Sequence, residues 1–331
     1  MTVGLLDTSY ESDNDGDGII VGSIIDHYPF LSSLQRFPTH RRPNRGERKS
    51  IAQCDALVVT GTNILTSKMW RDRQWKMSLR DQQILRDRVI FLGVGWRQYQ
   101  PKPTRFNSEI IRRLVHPGLP VAVRDAYTQS RLESLGIRSI NTGCPTMWAL
   151  PAELPALGRS AECVFTLTSY SPDSSHDCNL LKSLSSKYDA VHIWAQGDWD
   201  ERNLQNMELP ANAFVLERGI PALSRALVER DYVGTRLHAG IRAAQLGRPS
   251  LVVAVDNRAI EIGRDTGFPV VARRDGLIAF EEAIEKYSCN PVDLRIPHES
   301  ISRWDSEFKK WLHGLASRDI KLGIHDAGIS E

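Results

Sequence analysis

Short runs of branched apolar residues recur along the chain and alternate with amphipathic stretches. We predict strands at residues 3–6, 56–60, 89–94, 120–123, 163–167, 190–194, 213–216, 250–255 and 269–271. Near-continuous apolar strands are typical of sheets that are buried on both faces. Helical periodicity lies between them, at residues 19–28, 109–114, 126–135 and 237–246. This alternation predicts right-handed βαβ units with parallel sheets, and therefore an α/β fold.

A segment rich in proline divides this pattern into two halves. Residues 150–158 contain two prolines and a glycine, and a new series of strands follows them. We therefore predict two Rossmann-like domains with a cleft between them, an N-terminal one over residues 1–150 and a C-terminal one over residues 159–297. In the last segment, 298–331, we expect a helix over residues 300–316 that packs near the domain junction. Its apolar stripe consists of Ile301, Trp304, Phe308, Trp311, Leu312 and Leu315.

Composition excludes several classes of protein. The chain of 331 residues has 42 Lys and Arg against 40 Asp and Glu, so its charge gives no argument for nucleic-acid binding. No apolar run approaches the ~18–20 residues of a membrane span, and the N-terminal sequence lacks the basic start of a signal peptide. Five scattered cysteines without a CxxC pattern indicate neither disulfides nor a zinc site. We therefore expect a cytoplasmic protein.

An acidic loop follows the first predicted strand, at the edge of the sheet where α/β proteins bind ligands. Its five acids are Asp7, Glu11, Asp13, Asp15 and Asp17. Carboxylates repel phosphate but accept hydrogen bonds from sugar hydroxyls and can act as their base. One alternative is a polar turn that caps a helix at Asp17 or Gly18. Another is a calcium loop, although Ile24 stands where such a loop needs its bidentate acid.

Basic residues crowd the stretch from 36 to 49. It contains Arg36, Arg41, Arg42, Arg45, Arg48 and Lys49 against a single acid, Glu47. Such a stretch suits an anion or a membrane surface, but two prolines and the lack of interleaved aromatic residues favour a solvated loop.

Arg124 stands at the carboxyl end of a predicted strand. Asp125 is placed to cap the following helix, which Gly136 ends. A guanidinium that points into the inter-domain cleft could bind a carboxylate or a phosphate with two parallel hydrogen bonds. An ion pair with Asp125 is an equally good interpretation.

Residues 231–249 combine a cation and an imidazole at the start of an apolar helix. With Thr235 as the predicted N-cap, Arg236 and His238 lie in the first turn, where free amides favour anions. The same dipole disfavours an extra proton on His238, which keeps it neutral and titratable near pH 7. In a regular helix the two side chains diverge, so they converge only if Arg236 still belongs to the loop. A structural, buried histidine is the alternative.

These segments resemble the polysaccharide pyruvyltransferase family over about residues 1–275. The matching motifs are Asn14-Asp15-Gly16-Asp17, the turn Gly61-Thr62-Asn63 after a strand, Gly93-Val94-Gly95, Arg124-Asp125 with Thr128, and Arg236-Leu237-His238-Ala239 followed by Gly247-Arg248-Pro249. Three motifs depart from the family. Gly61-Thr62-Asn63 replaces three glycines, Gly143-Cys144-Pro145 replaces Gly-Asp-Pro, and Val255-Asp256-Asn257-Arg258 replaces Tyr-Asp-x-Lys while keeping the charge at Arg258.

The resemblance implies a fold like that of GT-B glycosyltransferases. It also implies transfer of a pyruvyl group from phosphoenolpyruvate to saccharide hydroxyls as a ketal. We predict His238, Arg236 and Arg124 as catalytic residues. The predicted substrate-binding residues are Asn14, Asp17, Thr62, Asn63, Thr235 and Arg258. A glycosyltransferase that uses a sugar nucleotide and a non-catalytic saccharide-binding protein are the alternatives.

The same resemblance sets the expected partners. The donor is phosphoenolpyruvate, and the reaction requires no metal or redox cofactor. The acceptor is a saccharide or a lipid-linked saccharide, and a lipid-linked acceptor would bring the protein to the inner face of the membrane as a peripheral contact. A homo-oligomer is compatible with the sequence, and no nucleic acid is expected.

Overall fold

The structure, a computed structural model, describes residues 2–71 and 74–316. These residues group into two units, which are described one at a time. The first unit takes in the residues through Ser12, Ile20–Trp148, and the chain from Pro297 onward. The second consists of Asp13–Ile19 and Ala149–Ile296.

The first unit is built on a parallel sheet of four strands in the order β2-β1-β3-β4, with β5 and β6 forming a further parallel pair. Its strands are β1 (Val3–Asp7), β2 (Arg36–Pro38), β3 (Ala56–Thr60), β4 (Val89–Leu92), β5 (Val121–Val123) and β6 (Ser139–Asn141). The helices of this part of the chain are α1 (Asp15–His27), α2 (Arg45–Gln53), α3 (Leu79–Ile84), α4 (Arg105–Leu114) and α5 (Ala126–Glu133). Every residue of β1, β3 and β4 is buried, as expected of strands covered on both faces.

The second unit contains a parallel sheet of six strands in the order β10-β9-β8-β11-β12-β13, beside a small antiparallel pair, β7 and β14. Its strands are β7 (Glu153–Leu154), β8 (Glu162–Thr166), β9 (Ala190–Ile193), β10 (Ala213–Val215), β11 (Asp231–Gly234), β12 (Ser250–Ala254), β13 (Val270–Ala272) and β14 (Val292–Asp293). Its helices are α6 (Ser174–Lys187), α7 (Asp198–Leu204), α8 (Ile220–Leu227), α9 (Leu237–Gln245), α10 (Asn257–Thr266) and α11 (Gly276–Cys289).

The last helix, α12 (His298–Ala316), groups with the first unit. Trp304 and Phe308 are fully buried, and their rings stack with centroids 5.7 Å apart. The predicted apolar stripe is therefore a packing face. The side chain of Leu315 and residues 317–331 lie outside the described part of the chain.

Each of the nine predicted strands forms, with ends displaced by at most two residues. The prediction of a loop was wrong for both ends of the basic stretch, which form β2 and the start of α2, whereas residues 39–44 between them are neither strand nor helix. Two of its cations form ion pairs within the unit: Arg36 pairs with Asp7 at 3.2 Å, and Arg48 pairs with Asp81 at 2.7 Å. No helix in the described part of the chain is long and apolar enough to cross a membrane.

Candidate functional site

The candidate site lies in the second unit, at the carboxyl end of the central strand β11. Gly234 ends this strand directly beside β8, where a Cβ atom would stand only 2.3 Å from the Thr166 hydroxyl. The chain then passes through Thr235 and Arg236 into α9. Only glycine fits at this crossing without displacing β8.

The prediction of Thr235 as the N-cap was wrong. The N-cap position is Arg236, with φ −95° and ψ 100°, and α9 begins at Leu237. The Thr235 hydroxyl instead lies 2.7 Å from the hydroxyl of Thr168, so it ties the loop to the segment after β8. Arg236 therefore belongs to the loop, and this is the condition under which its side chain and that of His238 converge.

A pocket that is partly open to solvent lies over this loop. Thr235, Arg236 and His238 line it from the start of α9, and Arg258 lines it from the start of α10. Both His238 and Arg236 are at least nine-tenths buried. The pocket thus collects two guanidinium groups, one imidazole and the start of α9, which favour anions, beside the Asp256 carboxylate that caps α10.

Arg236 is held by a carboxylate that no sequence pattern singled out. Its Nε donates to Asp200 Oδ2 at 3.0 Å and to the Leu167 carbonyl at 3.1 Å, and its Nη2 donates to Asp200 Oδ2 at 2.5 Å. Asp200 is fully buried and also accepts the backbone amides of Ser169 and Gln196. The charge of Arg236 is therefore compensated, and its guanidinium is fixed in one orientation.

Arg258 forms a second fixed group with Asp256 and Tyr170. Arg258 Nη2 donates to Asp256 Oδ2 at 2.6 Å, and the Tyr170 hydroxyl donates to the same oxygen at 2.9 Å. Burial opposes ionisation of Asp256, but the Arg258 charge and these hydrogen bonds outweigh it and lower the pKa of Asp256 to about 2. The Tyr170 ring centroid lies 5.2 Å from the guanidinium carbons of both Arg236 and Arg258, so one half-exposed aromatic ring makes a cation–π contact with each of the two cations.

The start of α1 reaches the same group. The helix begins at Asp15, so the predicted N-cap at Asp17 or Gly18 was wrong and Asp17 lies in the first turn. Asn14 donates to Asp17 at 3.1 Å and accepts from Gln196 at 2.6 Å, and Gln196 lines the pocket. Burial lowers the pKa of Arg258, but Asp256 and Asp17 are among the charges that overcome this effect and raise it.

Three of the other acids in the predicted acidic loop have partners elsewhere. Asp7 pairs with Arg36, and Glu11 pairs with Arg41. Asp15 accepts the amide of Gly219 at 3.2 Å, and burial raises the pKa of Asp15. Of the five acids, Asp17 is the one whose charge acts on a pocket cation in the part of the chain that is described.

Arg124 lies in the first unit, directly after β5, and is 1% exposed. Its Nε donates to Asp125 at 3.3 Å and its Nη2 donates to the side chain of Asn63. Asp125 also caps α5 by accepting the amide of Thr128 at 2.7 Å, as predicted. Arg124 therefore forms the ion pair with Asp125 that was one of its two interpretations. Its Nη1 atom is buried and has no hydrogen-bond acceptor among the described residues.

Thr62, beside Asn63, adopts a left-handed conformation with φ +61°. This conformation is costly for a β-branched residue, about 1–2 kcal/mol, and glycine adopts it freely. The backbone at this turn therefore has a conformation suited to glycine although the sequence supplies threonine.

The family model for polysaccharide pyruvyl transferase matches residues 11–257. The chain belongs to this family. The match includes the start of α1, the Thr62 turn, Arg124, and the loop with Arg236 and His238, and it ends one residue before Arg258. Membership makes the protein a transferase with a role in pyruvyl transfer, acting between a donor and a saccharide acceptor. No curated protein matches the chain.

Similarity to solved structures identifies the fold of this pyruvyl transferase family member. The UDP-GlcNAc 2-epimerase from Neisseria meningitidis bound to UDP-GlcNAc is 12% identical, with TM-score 0.50, over 94% of this chain and all of that one. The glycosyltransferase SnogD from Streptomyces nogalater is 14% identical (TM-score 0.37, 91% of this chain and 79% of that one). The E. coli heptosyltransferase WaaC with ADP is 15% identical (TM-score 0.35, 87% of this chain and 99% of that one). The first similarity and the parallel sheets establish a GT-B-like α/β fold.

The predicted catalytic and substrate-binding residues of this pyruvyl transferase lie in two groups. Thr62, Asn63 and Arg124 lie together in the first unit. Asn14, Asp17, Thr235, Arg236, His238 and Arg258 lie together in the second. Sequence reasoning missed Asp200, Tyr170 and Gln196, because each is defined by contacts with residues far away in the chain.

Proposed function

We propose that this protein transfers the pyruvyl group of phosphoenolpyruvate to two hydroxyls of a saccharide, forming a ketal and releasing phosphate. The observation that carries the proposal is the convergence of Arg236, Arg258 and His238 at the starts of α9 and α10. Phosphoenolpyruvate carries a phosphate and a carboxylate, and both are groups that guanidinium side chains and helix amides bind.

The donor would bind in the pocket of the second unit, within the predicted domain 159–297. Asp200 and Asp256 already compensate Arg236 and Arg258, and the Asp256 carboxylate also accepts the Arg258 amide at 2.9 Å, so the dipole at the start of α9 supplies much of the remaining attraction. The guanidinium groups then act as oriented hydrogen-bond donors. They are fixed before the donor arrives, which lowers the cost of ordering them on binding.

His238 is the proposed proton donor to the methylene carbon of phosphoenolpyruvate. Protonation turns the methylene into a methyl group and leaves an oxocarbenium-like centre, which the first saccharide hydroxyl attacks. The C–O bond to phosphate breaks, and arginine groups stabilise the leaving phosphate. The second hydroxyl then closes the ketal. Of the two hydroxyl protons, one replaces the proton that His238 gave to carbon and the other leaves with phosphate, so the balance is complete.

The acceptor side is assigned to Asn14, Asp17 and the first-unit residues Thr62 and Asn63. Carboxylate and amide oxygens accept hydrogen bonds from sugar hydroxyls, and Asp17 can serve as a base for one of them. Arg124 is proposed as a further catalytic residue that binds a substrate anion. An acceptor that is lipid-linked, as in exopolysaccharide assembly, would place the reaction at the inner face of the membrane in the cytoplasm.

The test is a product assay with candidate saccharides. We expect release of inorganic phosphate from phosphoenolpyruvate that depends on the saccharide, together with a gain in saccharide mass equal to one pyruvyl ketal. A matched reaction with sugar nucleotides should release no nucleotide. Nucleotide release without phosphate release would establish a glycosyltransferase instead, and saccharide binding without either product would establish a non-catalytic binding protein.

A further inference from the structure

Two segments of the first unit form a surface that no step of the proposed reaction uses. Residues 66–71 lie beside residues 97–107. The Ser67 amide donates to the Gln100 side chain at 2.7 Å, the Ser67 hydroxyl donates to the Pro101 carbonyl at 2.5 Å, and the Trp70 amide donates to Asn107 at 3.1 Å. The two segments therefore present their outward side chains together.

Three aromatic side chains on this surface are exposed to solvent. Trp70 is 36% exposed, Tyr99 is 52% exposed and Phe106 is 56% exposed. Trp70 and Phe106 contact each other edge to face, with ring centroids 6.2 Å apart. Helix α4 buries Ile110, Ile111 and Leu114 but leaves Phe106 outside its packed face. Exposed aromatic residues grouped in this way are typical of an interaction surface.

The same surface is strongly basic, although the whole chain is nearly neutral. Lys68, Lys102 and Arg105 are exposed among the aromatic side chains. Residues 66–71 and 97–107 contain no Asp or Glu, whereas the chain as a whole has 40 of them. Exposed Trp, Tyr and Phe interleaved with Lys and Arg is the composition found at membrane–water interfaces. There the rings lie at the headgroup level and the cations meet anionic lipids.

We propose that this aromatic–basic surface, formed by Lys68, Trp70, Tyr99, Lys102, Arg105 and Phe106, docks the protein on a membrane that contains anionic phospholipid. The rings enter the headgroup region and the cations face lipid phosphates. Membrane docking rests on the proposed function in one respect, because it would bring the enzyme to a lipid-linked acceptor. It does not depend on the identity of the donor.

The test is co-sedimentation of the full chain with vesicles. One set contains phosphatidylcholine alone, and the other contains about one third phosphatidylglycerol. We expect binding to the second set only, and loss of that binding at high salt, where surface charges are screened. Lys102→Gln with Arg105→Gln should lower the partition coefficient by about 30-fold, since each cation near an anionic surface contributes about fivefold. Phe106→Ser should lower it roughly fivefold.

Matched controls lie on the second unit. Arg225→Gln with Arg274→Gln removes the same charge from two exposed positions, and Trp199→Ser removes an aromatic ring that is 63% exposed. These variants should bind vesicles as the unmodified protein does. Absence of binding to anionic vesicles, or an equal loss in the controls, would overturn the proposal. So would surface variants that lose affinity for a water-soluble saccharide but keep vesicle binding. Turnover with a water-soluble saccharide reports on the proposed reaction separately.

Discussion

Replacing Asp200 by Asn removes one negative charge from beneath the pocket and keeps the shape of the side chain. In the structure every contact of the Asp200 carboxylate is with a donor: the guanidinium of Arg236 and the amides of Ser169 and Gln196. An asparagine must point its own NH₂ group at one of these donors, and Arg236 is left buried without its counter-charge. Breaking a buried ion pair in this way costs about 3–5 kcal/mol. We expect the free energy of unfolding to fall by that amount.

The measurement is urea denaturation of the Asp200→Asn variant, with Asp198→Asn as the matched control. Asp198 begins the same helix and pairs with Arg218, but its side chain is 54% exposed, so its loss should cost under about 1 kcal/mol. A double variant that also carries Arg236→Gln should cost less than the sum of its parts by at least about 2 kcal/mol, because the second change removes the unpaired charge. A loss under about 1 kcal/mol in Asp200→Asn, or additive losses, would refute the argument.

Three further predictions concern the pocket itself. His238→Gln should keep donor affinity in calorimetry and lose a factor of about 10²–10⁴ in kcat, and near-normal kcat would reduce His238 to a positioning role. Asp17→Asn should raise the KM for the saccharide without weakening donor binding, because its negative charge beside Arg258 opposes an anion; weaker donor binding would contradict this role. Asp256 has a folded-state pKa of about 2 against an ordinary 3.8, so its contribution to stability is present above 3.8 and is lost as the pH falls through 2. The stability difference between the unmodified protein and Asp256→Asn should therefore shrink by about 1 kcal/mol from pH 6 to pH 3, and an unchanged difference would count against the lowered pKa.

The sheets could be predicted from the sequence wherever a strand is a continuous apolar run. The central strand β11 was missed because its sequence, Asp-Tyr-Val-Gly, begins and ends with residues typical of turns. Asp231 is tolerated in the core because its carboxylate accepts the Ser160 amide at 2.9 Å and lies 3.4 Å from Arg248. Such compensation comes from distant parts of the chain, so no local pattern reports it.

The same limit applies to the site. Arg236 and His238 could be found because a cation and an imidazole at a helix start form a local pattern. Asp200 could not, since it lies 36 residues from Arg236 and looks like any acid near the start of a helix. Tyr170 could not either, because its role depends on two arginines that the fold brings within 5.2 Å of its ring centroid.

The contact between Gly234 and Thr166 also determines where the pocket can be re-engineered. Any side chain at position 234 collides with the backbone amide and the hydroxyl of Thr166, so a library that varies this position would consist mainly of misfolded members. Tyr170 offers the opposite situation, since its half-exposed ring can change size without entering a packed core. Directed evolution toward new donors should therefore begin with the Tyr170 ring, which contacts both arginines, and leave the strand end at Gly234 unchanged.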